Sequence, residues 1–378
     1  MKTQDNILKL IKKNLDIVYI AQRPDRGGAE LLVRALNSSL KKRGFKVNAI
    51  YLSNPSNLKL NSNEHCINLS KVKDLRSIFF IRKRLLKIVT SKRIIVHAHL
   101  TWPFFITPLV TLGLKTINFY TEHNTYNKRR EFKFFRFIER YLYSRYYKII
   151  CISNGTKKSL FNWLGQVSYK EKLIVIPNGS RLLKIKFRKK IDNKKIKLIS
   201  IGSLTKQKGF DVAIKAISLI KKDIKSYTIL GEGYEKKNLV SLANKLGVGK
   251  ILIFPGYKNN ITPYVNNSDI GLMPSRWEGF GLSATEMLSS GLSLVVSNVD
   301  GLRDIVFDCP SVQLVEPNNP EEIVKGLMNA IKNFNLAGPK KFSNYSRKVA
   351  EKYKMEFMIE RYLNKYIEAY NKFDNNNT

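Results

Sequence analysis

Short β-branched apolar runs alternate along this chain with stretches whose apolar residues recur at helical spacing. In the first half the runs are Asp16–Gln22, Lys46–Ser53, Arg93–His99, Ile117–His123 and Lys148–Ser153. Helical patterns such as Ala29–Arg43 and Glu131–Tyr147 follow them. Strands that alternate with helices predict a parallel sheet covered on both faces. The rhythm restarts at Ile196–Gly202 and continues through Ser226–Gly231, Ile251–Pro255, Ile270–Pro274, Leu292–Ser297 and Val312–Val315. The pattern therefore predicts an α/β protein of two Rossmann-like, doubly wound parallel-sheet domains facing a cleft.

Between the two series, Arg181–Lys195 is rich in Lys and Arg and has no strand period. It reads as a linker. The expected division is a first domain over 1–183, a linker over 184–195 and a second domain over 196–354. The last helical pattern is longer than the second domain needs, and its part over 355–373 is expected to pack back on the first. A length of 378 residues and 43% hydrophobic content suit two ordinary packed cores.

In doubly wound sheets, ligands bind at the carboxyl ends of the strands. The chemically suggestive residues fall there. Pro274 to Leu288 holds Glu278 and Glu286, with Gly279-Phe280-Gly281 between them. The glycines let backbone amides approach a ligand closely. A helix beginning near Leu282 or Ser283 would offer its N–H groups and positive dipole end to a phosphate. Two carboxylates can each accept hydrogen bonds from vicinal hydroxyls. The segment suits a molecule that is anionic in the middle and hydroxylated at both ends, as a sugar nucleotide is. A plainer reading stays open for Glu286: Ser283-Ala284-Thr285-Glu286 also spells a helix capping box.

Other strand ends add candidates. Gly202-Ser203-Leu204-Thr205-Lys206-Gln207-Lys208-Gly209 follows a strand, and Lys208 could set an ammonium against a departing pyrophosphate. Arg26-Gly27-Gly28-Ala29-Glu30 follows the first strand and opens a helix. It fits either a phosphate-approaching loop or a plain strand-to-helix turn. It lacks a full G-x-G-x-x-G, which disfavours a nicotinamide site. Of the four histidines, His97, His99 and His123 end predicted strands. His123, in Thr121-Glu122-His123-Asn124, would project towards the ligand, whereas His97 suits the core and His99 either role. There is no D-x-D pair, no H-x-x-x-H and no Cys–His cluster, so no cofactor and no metal are expected. The separated cysteines Cys66, Cys151 and Cys309 fit a reducing compartment.

Charge changes the picture of partners. The chain carries 67 Lys and Arg against 29 Asp and Glu, a formal net charge of +38. That favours a polyanion such as an anionic membrane surface, although an AT-rich genome would raise Lys, Ile and Asn, including the Asn375–Asn377 tail, without any function. Asn124–Lys148 interleaves Lys128, Arg129, Arg130, Lys133, Arg136, Arg140 and Arg145 with Phe132, Phe134, Phe135, Phe137, Tyr141 and Tyr143. Ser77–Arg93 repeats the mixture. Basic amphipathic stretches with aromatics suit a bilayer interface, and both lie in the same domain, which favours that reading over a solvated cationic helix face. Residues 1–16 are charged throughout, and Ile17–Ala21 is too short for a signal core. Leu100–Leu114 falls short of a span. The expected place is the cytosol, peripheral on the inner face of the cytoplasmic membrane. No RNA-binding aromatic motif points to a specific nucleic acid.

With these residues in view the chain resembles the retaining nucleotide-sugar glycosyltransferases of family four, of GT-B fold. The likeness spans most of the length and is strongest over Leu198–Val306. Its most specific element is the E-x7-E signature formed by Glu278 and Glu286. The resemblance implies that Glu286 binds the ribose, that Glu278 and the amides of Gly279, Phe280 and Gly281 hold the donor sugar, and that Leu282 faces the phosphates. Lys208 looks like the diphosphate lysine, Gly28 like the glycine of the first loop, and His123 like the histidine touching the donor sugar. Phe254-Pro255-Gly256-Tyr257 is similar to the strand end bordering the base. His99, Arg129, Arg130, Lys133 and Arg136 fall on the acceptor or membrane side. The chain departs from the family at Ser203, where an arginine usually partners the lysine, and at Asp304, where Glu is common. The implied activity is metal-independent hexosyl transfer from an NDP-sugar to a hydroxyl of a cell-envelope or lipid-linked glycan, with retention by a front-face route. An NDP-sugar epimerase of the same fold and a non-catalytic polyanion binder are the alternatives.

Overall fold

A computed structural model describes residues 2–25, 27–69, 73–165 and 169–375. The chain divides into two compact units, Met1–Asn178 with Glu356–Thr378, and Gly179–Met355.

The first unit is built on a seven-stranded sheet. Its strands are β1 (Leu15–Ala21), β2 (Lys46–Tyr51), β3 (Glu64–Cys66), β4 (Arg93–His99), β5 (Thr116–Glu122), β6 (Lys148–Cys151) and β7 (Leu173–Val175), in the order β3-β2-β1-β4-β5-β6-β7. All neighbours are parallel. Every residue of β1 is buried, as a strand covered by helices on both faces must be. The order reverses between β1 and β4, which opens a switch point at their carboxyl ends.

The second unit repeats the plan with β8 (Ile196–Ile201), β9 (Ile224–Leu230), β10 (Leu252–Gly256), β11 (Ile270–Met273), β12 (Ser293–Ser297) and β13 (Val312–Val315). The order is β10-β9-β8-β11-β12-β13, again all parallel, with the switch point between β8 and β11. One face of this sheet packs Ile196, Leu198, Ile229 and Leu272 against helices through Phe210, Ile214, Leu327 and Phe334.

The apolar pattern shows all the central strands and both edges of the second sheet, and misses the two edges of the first. β3 and β7 have three residues each and too little length to show a period. The helix Lys2–Asn14 was also not expected from its charged sequence.

The linker needs correction. Residues 184–195 do not run free, and the break falls at Asn178/Gly179 rather than after 183. Ser180 N donates to Tyr353 O at 2.8 Å and Leu183 N to Ser289 Oγ at 2.7 Å. Arg188 donates to the carbonyls of Ser268 and Ser290, both at 3.1 Å, and Ile191 N to Asn335 Oδ1 at 2.8 Å. Leu183 and Ile191 are buried. A strand period is absent because the segment packs as irregular chain, with arginine stems lying on the protein and their heads on helix-end carbonyls.

The terminal helix, Met355–Asn375, docks on the first sheet. Tyr366 OH meets His97 Nδ1 at 2.5 Å, Tyr362 OH meets Thr121 Oγ1 at 3.2 Å, and Arg93 Nη2 donates to Phe373 O at 2.8 Å.

Candidate functional site

In the second unit the candidate residues gather at the β8/β11 switch point. The loop after β8 leads into a 3-10 turn, Lys206–Lys208, and the loop after β11 carries Glu278. Lys208 Nζ lies 2.5 Å from Glu278 Oε2, and Ser275 Oγ donates to the same oxygen at 3.3 Å. The lysine stem crosses Gly202, where a Cβ would stand 3.1 Å from Lys208 Cε. Gln207 Nε2 donates to Trp277 O at 3.0 Å, which ties the two loops together a second time.

Two glycines fix this geometry. Gly209 has φ +64 and starts the helix Phe210–Leu219, and a Cβ there would overlap the Pro274 carbonyl. Gly281 has φ +96 and starts the helix Leu282–Ser289. Left-handed backbone costs non-glycine residues about 1–2 kcal/mol before any clash. Gly209→Ala adds a backbone overlap and is expected to destabilise the second unit by about 3 kcal/mol or more, read as a lower unfolding midpoint.

Helix Leu282–Ser289 settles the capping question. Its N-cap is Gly281, without a side-chain cap bond, so Ser283 lies inside the helix and no capping box forms. Glu286 instead faces Arg181, whose Nη2 is 3.4 Å from Oε1. Burial pushes the Glu286 carboxyl above its ordinary value, and Arg181 opposes that shift. The side chain of Phe280 is buried, its ring set edge-on to Tyr353 at 5.3 Å between centroids, so only its backbone can meet a ligand. Leu282 and Ser283 carry the first helical N–H groups, which have no carbonyl one turn behind them. Ser203 is exposed on the β8 loop and adds no charge beside Lys208. Gly256, with φ +80, ends β10, and Tyr257 beyond it is half exposed.

In the first unit, Gly28 begins the helix Gly28–Lys42, and the Glu30 carboxylate folds against Gly27. Burial raises the Glu30 carboxyl to about 7. Arg26 lies outside the described residues. At the ends of β4 and β5, His99 Nδ1 and His123 Nε2 are 3.1 Å apart, one donating and the other accepting. Burial pushes His123 down to about 4, and His97 and His99 well below their usual range, so all three rings are neutral at pH 7. His97 is a core residue between Tyr366 OH and Thr121 Oγ1, the latter at 2.8 Å.

Several acceptor-side expectations change. His99 is 1% exposed and lies behind His123 rather than at a surface. Arg129 and Arg130 are not membrane-facing cations: both pair with the buried Glu139, and Arg130 Nη2 also meets Glu122 Oε2 at 2.6 Å. The partly buried Arg136 lies against Gly165, at the end of the helix Asn154–Leu164. Lys133 is exposed, beside Phe134 and Phe137 at 70% and 68% exposure. The interleaved run thus splits by role. Arg129 and Arg130 serve the interior, and Phe132, Phe134, Phe137, Lys133 and Arg145 face solvent. Sequence reasoning missed Arg181, Glu122 and Glu139. Glu122 was adjacent to His123 and could have been weighed. Nothing local marks the other two.

Among the described residues, no group of three His, Cys, Asp or Glu side chains is placed to hold a metal ion, and no helix is long and apolar enough to cross a membrane.

Two parallel-sheet units, each with its candidate residues at the switch point, define the GT-B class of glycosyltransferase. Comparison agrees over nearly the whole chain. A model of Glycosyltransferase Family 4 matches residues 26–182, and one of Glycosyl transferases group 1 matches 183–349. An uncharacterised glycosyltransferase of Haemophilus influenzae is 29% identical over 357 residues, covering 91% of this chain and 97% of that protein. The UDP-Gal:α-D-GlcNAc-diphosphoundecaprenol α-1,3-galactosyltransferase of Escherichia coli is 27% identical over 289 residues, covering 70% of this chain and 72% of its own length. Anabaena HepE, crystallised with UDP and glucose, superposes with TM-score 0.77 at 13% identity, over 93% of this chain and 99% of that one. The chain belongs to the GT-B glycosyltransferases.

Proposed function

We propose that this glycosyltransferase moves a hexose from a nucleoside diphosphate to a hydroxyl of a lipid-linked or cell-envelope glycan, with retention and without a divalent ion. The observation that carries the reading is the Lys208–Glu278 pair at the β8/β11 switch point. Lys208 offsets charge on the diphosphate as it leaves. Glu278 and the backbone of Gly279–Gly281 hold sugar hydroxyls, Glu286 takes the ribose diol, and Leu282 brings the helix start to the phosphates. Gly256 and Tyr257 border the base, Gly28 serves the phosphate end, and neutral His123 hydrogen-bonds the donor sugar. The acceptor oxygen bonds to the anomeric carbon as the phosphate oxygen departs from the same face, and the acceptor's proton passes to that phosphate oxygen. The name of the Escherichia coli relative contains a diphosphoundecaprenol-linked sugar, which supports a lipid-linked acceptor. The transferase names among the relatives do not favour an epimerase.

A thermal-shift screen with UDP-, GDP- and ADP-sugars tests the donor. One base is expected to raise the midpoint in wild type and not in Lys208→Ala, since a ligand stabilises the state it binds. No shift with any of them removes the reading.

The membrane part rests on the first unit, where Phe132, Phe134, Phe137 and Tyr141 are exposed near Lys133. Such a surface lies at the inner face of the cytoplasmic membrane in this reading. Each Lys or Arg near an anionic surface contributes about 1 kcal/mol. The protein is expected to sediment with phosphatidylglycerol vesicles, less with phosphatidylcholine, and less again as Phe134→Ser/Phe137→Ser. Equal sedimentation of that variant would disprove insertion there.

A further inference from the structure

The turn that follows His123 is anchored at both ends by charged groups. Lys128–Glu131 forms a single 3-10 turn with no buried residue, so apolar packing does not fix it. A buried ion-pair cluster does. Glu122, the last residue of β5 and 1% exposed, accepts at Oε2 from Arg130 Nη2 (2.6 Å) and from Tyr143 OH (2.8 Å). Its other oxygen faces the backbone N–H of Asn124 at 3.4 Å. Arg130 then bridges, through Nε, to Glu139 Oε2 at 3.2 Å. Glu139 is fully buried on the helix Phe135–Ser144, and it also takes Arg129 Nε and, at 2.8 Å, Trp163 Nε1. Between these anchors, Thr125 O accepts from Ser159 Oγ.

We propose that Arg130 and Glu122 are positioning residues for His123: their ion pair clamps both ends of the 123–130 loop and so fixes where the imidazole points. This rests on the assignment of His123 to the donor sugar. Two carboxylates and two guanidiniums cancel in charge, and a buried cluster of that kind contributes little net stability compared with apolar packing. What it supplies is geometry. A bidentate guanidinium has one orientation relative to two fixed carboxylates, and it holds the backbone of residue 130 accordingly. The pairing also bears on charge at the ring. A bare carboxylate on the adjacent residue would favour protonation of His123, and Arg130 neutralises it.

The test compares Arg130→Lys, Arg130→Ala, Tyr143→Phe and His123→Ala with wild type. Readouts are steady-state transfer and the ring signals of histidine-15N-labelled protein, with binding of UDP, GDP or ADP, whichever the screen selects. Arg130→Ala is expected to lose about 100-fold in kcat, the scale of a misplacement near 1 Å. Arg130→Lys, which keeps the charge but not the fork, should recover about tenfold of that loss. Tyr143→Phe folds safely, removes one hydrogen bond to Glu122 and should lose about fivefold. Nucleotide affinity and donor KM should stay within about twofold in all three, because Lys208, Glu278 and Glu286 lie in the other unit, and the His123 ring signals should shift or split. Full kcat in Arg130→Lys and Tyr143→Phe beside a large loss in His123→Ala overturns the clamp and leaves the site assignment standing. Unaltered kcat in His123→Ala refutes the site assignment instead. In that event the ring signals still decide the clamp: unmoved in Arg130→Lys, they refute it too.

Discussion

Glu278→Gln will lower transfer by about two to three orders of magnitude while binding free nucleoside diphosphate as tightly as wild type, or more tightly. The two effects have opposite signs because of one contact. In the free protein Lys208 Nζ is 2.5 Å from Glu278 Oε2, so the cation assigned to the diphosphate is already partnered. Both side chains are mostly buried, at 14% and 11% exposure, and solvent screens the pair only in part. Glutamine keeps the shape and removes the anion. An incoming diphosphate then meets an ammonium with no competing carboxylate, and a charge at that range is worth up to about 4 kcal/mol at an effective dielectric of 20. The sugar loses a charge-assisted acceptor, worth about 1.5–3 kcal/mol on binding and more where the bond strengthens as the anomeric carbon gains positive charge. Lys208→Ala should behave in the reverse sense for nucleotide, leaving Glu278 to repel the diphosphate. Calorimetry with the diphosphate and kcat/KM for transfer separate the cases. Parallel loss of both quantities in Glu278→Gln would mean that the residue supports the loop rather than the sugar.

How far the sequence could be read follows from what each feature depends on. Central strands were legible because burial on both faces forces continuous apolar runs, as in β1 and β12. The loop residues at both switch points were legible because strand ends are predictable once strands are. Lys208 and Glu278 lie on the loops after β8 and β11, Gly281 lies at the helix start and Glu286 inside that helix. The edge strands of the first sheet escaped because β3 and β7 are too short to carry a period, whereas the edges β10 and β13 of the second were read. The capping-box ambiguity at Ser283 turned on a two-residue shift of the N-cap that only the αL backbone of Gly281 resolves. The basic–aromatic run was misread in part for a different reason. Its composition is that of a surface helix, yet Arg129 and Arg130 turn inward because Glu122 and Glu139, 17 positions apart, are buried beside them. Charge pairing across such a distance leaves no local trace. Arg181 was passed over likewise, since a loop arginine acquires meaning only when the fold sets it against Glu286.

The first unit will lose stability below pH 6.5, before the ordinary carboxylate range is reached. His97 and His99 are fully buried and His123 partly so, and burial holds all three below the unfolded value near 6.5, with His123 at about 4. In that window the unfolded chain binds protons that the folded chain refuses, so stability is complete above 6.5 and falls as the pH drops towards the folded values. Each such group costs roughly 1.4 kcal/mol per pH unit once the unfolded histidine is protonated. Glu30 works the other way. Its carboxyl is raised to about 7, so the folded state takes up a proton that the unfolded state releases down to the ordinary carboxylate range, and acid stabilises it. Glu64 and Glu122 are held below their ordinary values by Arg34 and Arg130 against the effect of burial, so they matter only at lower pH. His65 in β3 is also held low by burial, so the histidines outnumber Glu30 and acid destabilises the unit on balance, by roughly 1.4 kcal/mol per pH unit for each net group. Hydrogen exchange of β4 and β5 peptides across that range should show protection falling sooner than in β8 and β11. Replacing His97 with Gln, which can still bond Tyr366 and Thr121, should flatten the dependence by about one proton. Protection of β4 and β5 that stays constant from pH 7 to 5 would show that these rings accept protons in place, and that their burial is not what sets them neutral.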